Sequence, residues 1–355
     1  MMFSYDKLIE NSYQMLLFNY KELSGRRFKH FSIENLNTID SLYAKILAHW
    51  TISKFKEGVY KEYVTYEDMV ESSPKGQINF AQTIITQSLS RGEMICTYDE
   101  LDDNNRLNQI LKGILIYLQN NADVDEDTNR IISDTLLKYS NITDIDINSI
   151  HWKEIRFNNN NIGYKPIIGL CKDIINEQTL VKKYNIQDND RMYFLFRRFV
   201  KNYITETYKE KYHIDIFYTE QLEKISLLDR LYCNSDEYVV IRDREYALLY
   251  YFLISDRTNN ELERDIQLKV FKDLTDYQTQ YKVKCKAAIV SININSRYSN
   301  YEKMQTAIYR SIPIGTVTVD MHDQWRYILK KLDQPYNELI DTDKRRGNRN
   351  GGQNL

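Results

Sequence analysis

Apolar residues recur at helical spacing along the first part of the chain. Leu8, Ile9, Tyr13, Leu16, Leu17 and Tyr20 share one face over Tyr5–Tyr20, and Ile39, Tyr43, Ile46, Leu47 and Trp50 do so from Asn37 to Glu57. Gly58 supplies the residue beyond that helix end. Val59–Tyr66 reads as a strand and Ser72–Gly76 as a loop. Ile78 and Phe80 share one face of a short alternating segment, Thr83–Ser90 is polar, and Met94, Cys96 and Tyr98 alternate on a further strand. The cleanest stripe lies in Asn104–Leu118, where Leu107, Ile110, Leu111, Ile114, Tyr117 and Leu118 line up behind Asp102 or Asp103 as the N-cap. Helices over Asp127–Lys138 and after Pro166 complete the first half.

Polar Lys182–Asp190 divides the chain. Beyond it the pattern predicts a helix over Asp190–Tyr203, a strand at His213–Tyr218 and a β-hairpin over Leu227–Tyr246 with its turn at Asn234–Asp236. An apolar run follows at Ala247–Ile254, then a helix over Asn260–Leu274, strands at Lys286–Ile294 and Ile314–Val319, and a helix over Gln324–Leu332. The fold class expected is α/β (α+β): a mixed helical and β region over residues 1–184, an α/β sandwich over 185–338 and a disordered tail over 339–355.

The hairpin is where chemistry concentrates. Asp229 stands on its first strand and Asp243 and Glu245 on its second, where alternation puts those two on one face and turns Arg244 away. Carboxylates converging at a sheet edge suit a hard cation such as Mg²⁺; a solvated polar strand face is the plain alternative. The cluster Asp99, Glu100, Asp102 and Asp103 is explained by helix capping and the helix dipole rather than by a metal.

Composition changes this picture little. With 42% hydrophobic and 28% charged residues, the chain has the make-up of an ordinary globular protein. Its net charge of −2 gives no global basic field for nucleic acid, which leaves a local basic face or delivery of DNA by a partner. The 4 cysteines lie far apart among apolar neighbours, as buried thiols of a reducing cytoplasm do. No apolar run approaches the roughly 18 residues that a membrane span needs, so no membrane partner is expected.

Three segments of the first half carry a resemblance. Cys96-Thr97-Tyr98-Asp99-Glu100-Leu101-Asp102-Asp103-Asn104-Asn105-Arg106-Leu107-Asn108-Gln109-Ile110-Leu111-Lys112 resembles the signature of the McrC family. Gly58–Val64 and Ile155-Arg156-Phe157 look like further family segments in the right order, and Gly76 keeps the glycine of the family's Arg-Gly-Lys-Ile. In the second half, Asp190-Arg191-Met192 with Leu195-Phe196 and Phe199-Val200 is similar to the helix before the family's nuclease core.

The resemblance implies a two-part subunit of a 5-methylcytosine-directed restriction complex. Its N-terminal part would stimulate a McrB-like AAA+ GTPase hexamer, with GTP on the partner rather than on this chain. Its C-terminal part would be a PD-(D/E)xK nuclease acting on DNA with Mg²⁺, in which one Asp ends a strand and Asp-x-Lys lies on the next. Asp229 aligns with the first Asp and Asp243 with the second, while Glu245 stands where the Lys belongs; Gln267 corresponds to a Gln of the following helix. A Glu cannot supply the cation that polarises the attacking water. Arg197 likewise replaces a frequent Glu. Two readings stay open: a centre that has lost cutting and leaves a scaffold or adaptor, or one in which Lys224 or Lys201 reaches the site.

Overall fold

Most of the periodic stripes become helices within a few residues of where they are expected. The structure is a computed structural model that describes residues 5–21, 33, 36, 38–56, 58–121, 124–184, 191–218, 237–252, 260–294, 304–309 and 312–341. The first helix is α1 (Tyr5–Asn19), followed by α2 (Ile39–Phe55), β1 (Glu62–Glu71), β2 (Gln77–Ile78), α3 (Phe80–Ile85), β3 (Met94–Asp102), α4 (Arg106–Asn121), α5 (Glu126–Lys138) and α6 (Lys165–Tyr184). Then come α7 (Arg191–Tyr208), β4 (His213–Tyr218), β5 (Glu237–Arg242), β6 (Tyr246–Phe252), α8 (Asn260–Tyr281), β7 (Lys284–Asn293), β8 (Gln305–Tyr309), β9 (Ile312–Asp320) and α9 (Trp325–Tyr336). The fold is α/β, as the pattern predicts. Two compact units form; among the described residues, Asp40–Asn176 make one, and α1 with everything from Glu177 onward makes the other.

In the first of these units, β3 is the middle of a three-stranded antiparallel sheet ordered β1-β3-β2. β1 runs five residues beyond the predicted strand end and pairs from Glu62↔Asp102 to Glu71↔Met94, with a bulge between Tyr66 and Met69 where Asp68 takes φ 51. Gly76 turns the chain into β2 at φ +62; a Cβ there would lie 2.5 Å from the Thr97 carbonyl oxygen, so only glycine fits. The helical core is apolar: Leu42, Ile46, Leu47, Leu107, Ile110, Leu111, Ile114, Ile167 and Ile174 are buried. Trp50 meets Tyr164 edge-on at 5.0 Å.

The other unit is a six-stranded sheet ordered β4-β5-β6-β7-β9-β8. β4, β5 and β6 form an antiparallel meander, β6, β7 and β9 run parallel, and β8 closes the edge antiparallel to β9. One face packs Tyr238, Val240, Ala247, Leu249, Tyr251, Cys285, Ala287 and Ile289 against Val270, Leu274 and Tyr277 of α8. The alternate residues Val239, Leu248 and Tyr250 are buried as well, so both faces are covered and β6 reads as one unbroken apolar run. α7 and α9 meet around Asp333, whose carboxylate accepts from the Tyr203 hydroxyl at 2.9 Å and the Tyr208 hydroxyl at 3.0 Å. Although first in sequence, α1 packs here. Phe18 meets Phe199 edge-on at 5.4 Å, and Asn11 Nδ2 donates to the carbonyls of Met321 at 2.7 Å and Asp323 at 2.9 Å.

Candidate functional site

The sequence pointed to acids on a hairpin strand, and the local structure corrects that placement. Asp243, Arg244 and Glu245 are not strand residues; they form the turn between β5 and β6. The Asp243 N–H donates to the Tyr246 carbonyl at 2.9 Å. Its Oδ1 accepts from the N–H groups of Glu245 and Tyr246, each at 2.8 Å. This is the Asx-type turn that aspartate stabilises by standing in for a backbone acceptor. Period-2 alternation cannot apply across a turn, so the shared face expected for Asp243 and Glu245 does not arise. Glu245 is exposed, and its carbonyl accepts from the Lys284 N–H at 2.8 Å.

Asp229, Lys224 and the predicted Asn234–Asp236 turn lie outside the described residues. Gln267 is on α8, with its side chain outside the described ones, and Arg197 and Lys201 are on α7. The Asp243 Oδ1 is already engaged by two N–H groups, and no group of three or more His, Cys, Asp or Glu placed to hold a metal occurs among the described residues. Of the three carboxylates expected at a Mg²⁺ site, Asp243 and Glu245 are among the described residues and Asp229 is not. After Asp243 the next strand is Tyr246-Ala247-Leu248-Leu249-Tyr250-Tyr251-Phe252, which holds neither an acid nor a lysine.

One polar cluster beside this turn was not read from the sequence. Asp215 of β4 accepts from the Tyr277 hydroxyl at 3.0 Å and contacts His213 Nε2 at 2.9 Å. Arg242 Nε lies 3.5 Å from the same carboxylate, an ion-pair distance, and its guanidinium stacks 4.7 Å from the Tyr281 ring centroid. Burial, then the hydrogen bond to Asp215, pushes the Tyr277 phenol up. The signal was available as the alternation His213-x-Asp215 on an edge strand, but its partners are contributed from Arg242 and from α8.

In the first unit the family-like segment is a joint. Asn105 caps α4: its Oδ1 accepts from the Asn108 N–H at 3.2 Å, and its Nδ2 donates to the Tyr60 carbonyl at 2.9 Å. Asn108 Nδ2 donates to Tyr60 and Asp103 carbonyls at 2.8 and 2.7 Å. Asn104 Oδ1 accepts from the Thr143 N–H at 2.9 Å and from Gln109 Nε2 at 3.1 Å. These amides fasten the entry to β1, the exit of β3, the start of α4 and the loop after α5. The cap is thus Asn105 and not Asp102 or Asp103. Asp102 instead accepts from the Asn104 N–H at 2.9 Å and from the Tyr66 hydroxyl. Those bonds hold the Asp102 carboxyl below its usual range and push the Tyr66 phenol up to about 12.

The fold and these joints define an α/β protein of two units, one a small antiparallel sheet braced by helices and the other a six-stranded mixed sheet. The chain belongs to the family described as McrBC 5-methylcytosine restriction system component, whose pattern matches residues 5–243, about two thirds of its length. It is similar to the type IV methyl-directed restriction enzyme EcoKMcrBC of Escherichia coli (strain K12), with 21% identity over 94% of this chain and 98% of that protein. In fold it is similar to a chain of the Thermococcus gammatolerans assembly of McrB AAA+ hexamers with bound McrC, at TM-score 0.52 and 14% identity, covering 94% of this chain and 79% of that one.

Proposed function

We propose that this chain is a McrC-like subunit that binds and stimulates a McrB-like AAA+ GTPase hexamer, and that its six-stranded unit serves the complex on DNA as a scaffold without cutting. The observation that carries the first part is the end-to-end likeness to EcoKMcrBC, together with the family match over residues 5–243. The chain's fold is also that of a molecule solved with McrC bound to McrB hexamers. GTP belongs on the partner.

The second part rests on the turn at Asp243. An Asp-x-Lys centre needs a free carboxylate and a cation on one strand. Here the Asp243 carboxylate closes a turn, Glu245 occupies the cation's place, and β6 is apolar throughout. The buried free thiols of Cys96, Cys171 and Cys285 support work in a reducing, cytoplasmic setting. No helix among the described residues is long and apolar enough to cross a membrane.

The test is a reconstitution of the full chain with a McrB-like GTPase from the same source, GTP, Mg²⁺, and methylated or unmethylated DNA. GTP hydrolysis should rise on adding the chain, DNA should stay intact, and Asp243→Asn should leave the stimulation unchanged. Mg²⁺-dependent cleavage that disappears in Asp243→Asn would overturn the scaffold reading; absence of any complex would overturn the whole.

A further inference from the structure

α3 and the 3-10 turn at Ser88–Arg91 bury polar side chains and present apolar ones to solvent. Thr83 and Ser88 are each 1% exposed, whereas Phe80, Ile84, Ile85 and Leu89 are 65%, 66%, 74% and 57% exposed. A surface helix of a globular protein ordinarily does the reverse. The hydrogen bonds show how this one is held. Thr83 Oγ1 donates to the Asn79 carbonyl at 2.8 Å and accepts from the Ile95 N–H at 3.0 Å, so one hydroxyl ties α3 to β3. Asn79 caps the helix through its Oδ1, and its Nδ2 donates to Asp68 at 3.0 Å, which ties the helix start to the bulge of β1. The arrangement is local to this sheet. Of the twelve large apolar side chains that stand exposed among the described residues, eight fall between Tyr63 and Leu101. Large apolar side chains exposed together on one short segment, as Phe80, Ile84, Ile85 and Leu89 are, mark an interaction site.

Charge narrows the partner. The stretch Gly58–Asp103 holds nine Asp and Glu against three Lys and Arg, a net of −6 in a chain whose total is −2. Two of those three bases are paired within the stretch, Lys75 with Glu100 at 2.7 Å and Arg91 with Glu93 at 3.0 Å. Such a field repels nucleic acid and anionic lipid, and it repels a second copy of the same surface. It attracts a basic protein surface.

We infer that the acid-rimmed apolar face of α3 is the docking surface for a protein partner that offers apolar side chains within a basic rim. The inference rests on the reading that the chain works bound to an AAA+ GTPase, and it assigns that contact to Phe80, Ile84, Ile85 and Leu89.

The experiment measures affinity of the full chain for its McrB-like GTPase, with stimulation of GTP hydrolysis as a second readout. The variants are Ile84→Ser with Ile85→Ser, Phe80→Ser alone, Glu67→Lys, and the control Leu137→Ser, whose exposed side chain lies on α5 outside the patch. All five positions are exposed, and thermal unfolding checks that each variant folds; Glu67→Lys tests the rim even if a serine variant does not. The patch variants should weaken binding by more than about tenfold, as loss of central apolar contacts does, with Leu137→Ser unchanged and wild-type binding falling as salt rises. Wild-type binding that the patch and rim variants leave intact overturns the docking surface while the partner reading stands. Equal loss in the Leu137→Ser control overturns it as well, as does a wild-type dimer that Ile84→Ser with Ile85→Ser dissociates. Failure of the wild type to bind overturns the partner reading and this inference together.

Discussion

Asn105 uses both ends of its amide, capping α4 with the oxygen and holding the Tyr60 carbonyl with the nitrogen. Replacing it by alanine leaves the buried Asn108 N–H without its cap and removes one of the two amide donors to the Tyr60 carbonyl, the other being Asn108 Nδ2. Asn105→Ala should cost about 1–2 kcal/mol in urea unfolding, and Asn105→Asp less, because the aspartate keeps the cap and loses only the donor to Tyr60. Sequence reasoning placed a cap at this junction and put it on the neighbouring aspartates. It saw the capping chemistry but not the carbonyl of Tyr60, which pairing of β1 with β3 brings within reach. Asp243 follows the same logic: its residue type was picked out correctly as special, and its role as a turn acceptor depends on where β5 stops. That stopping point is set by the register Arg242↔Ala247.

Helices with long apolar stripes were legible as elements; short or two-sided elements were not. α4 runs three residues and α7 five beyond their predicted ends, whereas β8 was not anticipated, and α3 was read as part strand and part polar segment. α3 escapes the pattern because its apolar residues face outward. Between α7 and α9, Asp333 is another contact invisible to periodicity. Burial raises its carboxyl above the ordinary 3.8, against the two tyrosine hydroxyls that lower it. A raised folded-state pKa contributes stability that is fully present below the unfolded value and is lost as pH rises through the folded value. Asp333→Asn carries no such charge. Its stability relative to wild type should therefore improve on going from about pH 4 to about pH 8, in paired denaturation curves. A difference that is flat with pH would show that Asp333 titrates as an ordinary carboxylate.

At the scale of the molecule, α1 is the instructive case. It heads the chain and reads as part of the first region, yet its Phe18 and Asn11 pack on α7 and on the turn after β9. Deleting residues 1–20 should raise amide hydrogen exchange in α7 and around Met321–Asp323 and leave α4 protected, because the lost contacts belong to the six-stranded unit. The charge distribution is also a whole-molecule property. A total of −2 conceals a −6 stretch around the small sheet, which is why the overall balance excluded a basic field without showing where the acidic one lies.

By itself the sequence determined the helices with long stripes, the α/β class, the family-like run Cys96–Lys112 and the oddity of a glutamate at position 245. Each is a local property: periodicity, composition or a contiguous motif. Tertiary structure alone decided that Asp243 closes a turn, that α1 joins the distant sheet, and that Thr83 rather than Ile84 faces inward. The reason is shared. Strand ends, helix partners and buried faces are set by pairings between residues tens to hundreds of positions apart, and a pattern read along the chain carries no term for them.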